Sequence, residues 1–229
     1  MIKDIATYTC QYCKTKFTKE KTLAVHMCEQ KRRMLAKSEK HTVLGYDTYN
    51  RFYRKTQNSK QDKTYEEFAR SPYYNAFVKF GSFVSNVNPL YPDRFMDYVV
   101  TSGVKLDHWC RDELYEKYVL DLIRVESVET ALQRTIGHMM SWADEHKAQW
   151  NHYFLYCSLN RATYDIRDGK VSPWVILNSN NGKEMLSKLS DEQLEAIGPI
   201  IDPPFWMRKF KALPADAELV RQVVRESSI

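Results

Sequence analysis

The chain has 229 residues, 43% hydrophobic and 28% charged, with only 7 Gly and 8 Pro; that composition excludes a disordered or low-complexity polymer and is enough for a real core. No apolar run approaches the roughly 20 residues that span a bilayer, and the start, MIKDIATYTC, lacks the apolar stretch of a signal peptide, so an intracellular protein with no membrane partner is expected. The net charge of +5 is unevenly placed: residues 1–63 hold 15 Lys/Arg against 6 Asp/Glu, or +9, and residues 64–229 carry −4, which points to an anionic partner for the first part.

Residues 10–28, CQYCKTKFTKEKTLAVHMC, carry three of the five cysteines. Crowded thiols with a histidine among them suit a metal better than a disulfide framework. Cys10 and Cys13 form a Cys-x2-Cys knuckle, and His26 arrives on a helix whose first half reads KEKTLAV. Phe17 and Leu23 stand where a small apolar core must be filled. The pattern Cys-x2-Cys-x3-Phe-x5-Leu-x2-His resembles the Cys2His2 zinc-finger family over residues 8–28. That resemblance implies a Zn2+ ion in a tetrahedron of N and S ligands.

The departure lies at the fourth ligand. The family's second helix ligand would fall on Gln30, Lys31 or Arg32, none of which binds zinc. Cys28 is the nearest thiol, but two residues along a helix turn a side chain by about 200°. Cys28 therefore joins His26 only if the helix ends or distorts at His26–Met27. The favoured set is Cys10, Cys13, His26 and Cys28, with His41 or a water as alternatives to Cys28.

In the same family the residue before the helix and its third and sixth residues face base edges in the major groove. Those positions here are Lys19, Thr22 and Val25, a poor reading set. Lys14, Lys16, Lys21, Lys31, Arg32, Arg33 and Lys37 suit phosphates better. The nucleic-acid contacts expected are Lys19, Lys21, Thr22, Lys31, Arg32 and Arg33, mainly to the backbone and without sequence specificity.

Further along, Glu29–Lys40 reads as a polar helix completing a finger-and-basic-helix segment over 1–40. Leu44–Lys55 places Tyr46, Tyr49, Phe52 and Tyr53 at helical spacing. Such a stripe is more often core than a base-stacking platform. The polar stretch 58–63 reads as a linker closing a segment 41–63. From 64 to 160 the punctuation is that of a helical body. Thr64 and Glu67 make a capping box, Ser71-Pro72 and Tyr91-Pro92 start helices, and Gly103 ends one. Asp107 and Ser127 are further caps. In 161–229, Ala162–Asn178 reads as a β-hairpin turning at Asp168-Gly169. Short helices follow, with a capping box at Ser190 and Gln193 and Pro214 starting the last. The expected fold is mainly α: an N-terminal finger, then a helical bundle or array with one small β-hairpin.

Asp144, Glu145, His146 and His152 match no metal motif and read as a solvated helix end. Cys110 and Cys157 read as buried thiols, and His108 and His138 show no partner. No Gly-rich phosphate loop, Ser/His/Asp order or paired carboxylate appears, so binding without catalysis is expected. The partner is nucleic acid, with DNA favoured, or else a protein assembly docked by the finger. The strings TLAVHMCEQKRR and SDEQLEAIGPIIDPPFWMRKF resemble segments of uncharacterised tailed-bacteriophage proteins. This resemblance implies a protein of the infected bacterium's cytoplasm or of the virion.

Overall fold

The computed structural model describes residues 7–229. The chain is mainly α-helical and separates into two compact units, residues 1–111 and 112–229. None of the helices in the described residues is long and apolar enough to cross a membrane.

The first unit opens with a two-stranded antiparallel hairpin, β1 (Tyr8–Thr9) and β2 (Lys16–Phe17), in which Tyr8 faces Phe17 and Thr9 faces Lys16. Helices α1 (Glu20–Val25) and α2 (Glu29–Leu35) follow, then a 3-10 turn at Ala36–Ser38 and the long α3 (Lys40–Gln57). Helices α4 (Tyr65–Arg70), α5 (Tyr74–Val87) and α6 (Pro92–Thr101) complete it, with a 3-10 turn at Leu106–His108. Thr64 and Glu67 close a reciprocal capping box on α4, and Pro92 sits in the first turn of α6. Ser71 ends α4 rather than starting α5, whose cap position is Tyr73.

The core of this unit forms where α3 crosses α5. Two glycines permit the approach: a Cβ on Gly81 would stand 2.0 Å from the His41 carbonyl oxygen, and one on Gly45 would stand 2.7 Å from that of Phe77. The aromatic stripe of α3 fills the space beside this crossing. Tyr49 packs on Phe68 and Phe77, and Phe52 on Phe77 and Trp109. Phe68, Phe77, Phe80 and Phe95 are buried, each contributing about 2 to 3 kcal/mol of transfer free energy. The buried Trp109 donates its indole N–H to the Val104 carbonyl, the partner that a buried indole usually finds.

The polar stretch at 58–63 lies inside this unit, and the division falls between Arg111 and Asp112. Its end is fastened to α3: Tyr46 donates to the Lys63 carbonyl, and the Lys63 N–H donates to Asn50 Oδ1 at 2.8 Å. Side-chain anchors of this kind turn a linker-like composition into a structured corner.

The second unit is built from α7 (Asp112–Val125), α8 (Val128–His146), α9 (Tyr153–Tyr156), α10 (Leu159–Arg167) and α11 (Pro173–Ile176). It ends with α12 (Asn180–Ser187), α13 (Asp191–Ile201), α14 (Pro203–Ala212) and α15 (Pro214–Ser227). Ser127 caps α8 as expected, while α7 begins at Asp112, well after the expected cap at Asp107.

The hairpin expected over 162–178 does not form; among the described residues the one hairpin is β1–β2. Asp168-Gly169 is instead the C-terminal turn of α10. Gly169 has φ 75°, and its N–H donates to the Ile166 carbonyl, the αL ending that glycine favours. Ser172-Pro173 then starts α11, with the Ser172 hydroxyl accepting from the Trp174 N–H. The Trp-Val-Ile run is a buried helical turn rather than an edge strand.

Buried charge also organises this unit. Asp165 is fully buried and accepts from the Tyr153 hydroxyl at 2.8 Å and Arg161 Nε at 3.1 Å. Lys170 Nζ lies 3.4 Å from its other oxygen, and His138 Nε2 lies 2.8 Å from Oδ2. Glu126 and Arg134 form a second buried pair, bidentate in geometry, and Arg134 also donates to the Gly169 carbonyl at 2.7 Å. His138 thus has a partner 27 positions away in sequence, out of reach of any motif.

Candidate metal centre

The hairpin and α1 hold the first three donors. Between β1 and β2 the chain reverses through Gln11–Cys13, with Lys14 N–H donating to the Cys10 carbonyl and Cys10 N–H to the Thr15 carbonyl, both at 2.9 Å. Lys14 takes a left-handed conformation, φ 62°, which completes this reversal and turns both thiols to one side. Phe17 packs against the His26 ring with centroids 4.8 Å apart, so the small apolar filling positions a donor directly.

The fourth donor depends on a break in the helix. α1 stops at Val25, His26 has φ −67° and ψ 123°, and Cys28 has φ −74° and ψ 164° before α2 begins. Extended backbone returns alternate side chains to one face. His26 and Cys28, which would diverge on a continuous helix, therefore converge. Cys10, Cys13, His26 and Cys28 bring their ligand atoms within 4.8 Å of one another, as a group that can hold a metal ion. Cys10 and Cys28 sulfurs are 3.9 Å apart, and Cys13 Sγ lies 3.2 Å from His26 Nε2. His41 does not join them; its Nε2 pairs with Glu39 at 2.9 Å.

The donors are electrostatically prepared in different ways. The Thr15 hydroxyl and backbone, followed by the His26 ring, pull the Cys13 thiol down to about 6. Burial pushes the Cys28 thiol up, opposed by the Lys31 N–H that its sulfur accepts at 3.4 Å. A cation bound among them favours the thiolate at every sulfur.

The residues expected to meet nucleic acid separate into two groups. Lys19, Lys21, Thr22 and Arg32 are exposed, as are Lys14, Lys16 and Lys37. Lys31 is half-buried, with Nζ 3.3 Å from the His26 carbonyl it donates to. Arg33 is turned inward. Its guanidinium pairs with Glu29, donates to the Ala69 and Ser71 carbonyls, and covers the Tyr74 ring at 4.5 Å. In return the Tyr65 hydroxyl donates to the Arg33 carbonyl. Arg33 thus ties α2 to the C-terminal end of α4, where carbonyls lack helical partners, and its charge is spent inside the protein.

Away from this centre, Asp144, Glu145 and His146 lie exposed at the end of α8. Cys157 is buried and Cys110 half-buried. Searches with this chain match no known family model, no curated protein and no solved structure.

Proposed function

We propose that residues 8–38 form a zinc-stabilised basic module that binds nucleic acid, DNA foremost, through phosphate contacts without reading sequence. The observation that carries this reading is the Cys3His donor set in a compact knuckle whose outer surface is lined with lysine. A tetrahedral Zn2+ with Zn–S bonds of about 2.3 Å sets its sulfurs about 3.8 Å apart, close to the 3.9 Å between Cys10 and Cys28. Three soft thiols and one imidazole favour zinc over magnesium or calcium. Four protein ligands leave no open coordination position, so the ion serves structure and not catalysis. Its contribution is to fix the knuckle against α1 and α2.

Six exposed cations, Lys14, Lys16, Lys19, Lys21, Arg32 and Lys37, are the phosphate partners. If all six engage, the slope of log K against log salt is about −5. Fluorescence anisotropy of the zinc-loaded protein on a labelled DNA duplex, titrated from low to physiological salt, tests this. A steep negative slope is expected, and absence of binding even at low salt would discard the reading.

A second reading is favoured by a different observation. Val25, at the sixth helical position, is 80% exposed and Met27 50%, side chains that suit a protein neighbour better than a phosphate. In that reading the finger docks a subunit into an assembly. The phage resemblance gives either reading a setting in the infected bacterium or the virion.

A further inference from the structure

A cleft of about 300 Å3 opens beside the metal centre, lined by Gln11, Tyr12, Gln30, Met34, Glu66 and Arg70. We infer that it is a binding site for one unpaired nucleobase, so that the module prefers single-stranded over duplex nucleic acid. This inference rests on the nucleic-acid reading and gives it a ligand class.

The lining chemistry separates a base from a phosphate. Gln11 and Gln30 each present both a donor and an acceptor, and Glu66 presents acceptors only. A phosphate has no protons for those acceptors, and the Glu66 carboxylate repels it. Base edges carry amino and imino donors beside carbonyl and ring-nitrogen acceptors, which match this set. Tyr12 and Met34 supply an aromatic and a thioether surface of the kind on which a flat π-system rests. Arg70 is the one cation of the lining and suits the phosphate attached to the bound nucleotide. The volume is at the lower end of the roughly 300 to 1,000 Å3 of small-ligand sites. One ring system fits such a space, and a stacked pair in a duplex does not present itself to it.

The walls come from three places. Gln11 and Tyr12 lie between the ligands Cys10 and Cys13, Gln30 and Met34 lie on α2 behind Cys28, and Glu66 and Arg70 lie on α4. The metal centre fixes the first two walls relative to one another. Arg33, bonded to the Ala69 and Ser71 carbonyls, fixes the second to the third. The cleft is therefore preformed in the metal-loaded chain and needs no closure.

The test uses the whole zinc-loaded chain with short labelled single strands of DNA and of RNA. Each is compared with the same strand carrying abasic positions, which keeps every phosphate, and with a duplex. Intact strands are expected to bind on the order of tenfold more tightly than abasic ones. Gln30→Ala and Tyr12→Ala should erase that difference while leaving the salt slope, the zinc content and the circular dichroism unchanged. Gln11→Ala serves as the milder knuckle variant should Tyr12→Ala lose metal. A preference for bases in either DNA or RNA that these variants remove supports the site. Equal binding of intact and abasic strands, or a preference the variants retain, overturns it while phosphate binding stands. No binding of any strand or duplex at low salt overturns both readings together.

Discussion

Cys28 does two things with one sulfur. It belongs to the metal-ligand cluster and it is the N-cap of α2, accepting from the Lys31 N–H. Serine is a better N-cap than cysteine but a poor zinc ligand, so Cys28→Ser separates the two roles. The variant should keep α2 and lose zinc affinity by more than the roughly 10- to 100-fold typical of an outer-shell partner. His41→Ala should leave affinity unchanged, because His41 pairs with Glu39. A competitive chelator titration of both variants decides the matter, and equal affinities would remove Cys28 from the ligand set. Asp165 offers a residue-scale prediction in the second unit. Burial raises its carboxyl, but His138, Tyr153 and Lys170 outweigh this and hold it at about 2. An unfolded Asp titrates near 3.9, so the folded state binds the proton more weakly. The resulting stabilisation, on the order of 2 kcal/mol, is fully present above about pH 4 and is lost as pH falls through 2. Asp165→Asn should lower stability at neutral pH and flatten the acid limb between pH 4 and 2. Urea melts of the two proteins across that range provide the comparison, and parallel acid limbs would show that Asp165 contributes no pH dependence.

At the scale of elements, what could be read in advance was what short-range chemistry decides. Thr64–Glu67 and Ser190–Gln193 close capping boxes, Ser127 caps α8, and the α3 stripe at Tyr46, Tyr49, Phe52 and Tyr53 has the period that placed it in a core. The knuckle and its filling residues were legible for the same reason, since ligand spacing is local. What could not be read depended on distant partners or on one residue type serving two uses. Asp168-Gly169 fits a hairpin turn and an αL helix ending equally well, and tertiary burial of Trp174 and Val175 selected the second. Arg33 looked like a phosphate contact until the α4 carbonyls claimed it. The pairing of His138 with Asp165 links α8 to α10 and leaves no trace in either segment alone. The glycines show the same divide. Gly81 and Gly137 both lie inside helices, yet a Cβ on Gly81 meets backbone at 2.0 Å and one on Gly137 meets nothing within 4 Å. Gly81→Ala should force α3 and α5 apart and cost about 3 kcal/mol. Gly137→Ala, on an exposed face of α8, should stabilise by about 0.5 to 1 kcal/mol through helix propensity alone. Urea denaturation of the two variants measures both, and a tolerated Gly81→Ala would mean that the α3–α5 crossing is not as close as described.

Across the whole molecule, dependence on the metal should be confined. The segment holding the donors has little else to stabilise it: α1 and α2 bury no residue completely, and Cys10 is the one fully buried hydrophobic residue among 7–38. On the proposed zinc-bound reading, a segment with so small a core borrows its folding free energy from the ion. Helices α3 to α6 have an aromatic core of their own, and the unit from 112 onward has another around Trp174, Trp206 and Tyr153. Removing zinc with a chelator should therefore abolish amide-exchange protection over residues 8–30. Partial loss should extend along α2 as far as Arg33, whose bonds to Ala69 and Ser71 resist it. Protection in α3, α5 and the whole of 112–229 should stay at the zinc-loaded level, because local opening free energies follow local burial. Hydrogen exchange read by mass spectrometry, with and without chelator, resolves these segments in one experiment. Loss confined to the finger and α2 would make the ion a local staple that sets the geometry of the basic surface. Loss spreading into α3 and α5 would instead make the metal a folding determinant of the entire first unit, acting through the Arg33 contacts. Arg33→Ala then distinguishes the routes. Without its two carbonyl contacts, chelation should leave α4 unchanged while the finger and α2 still open.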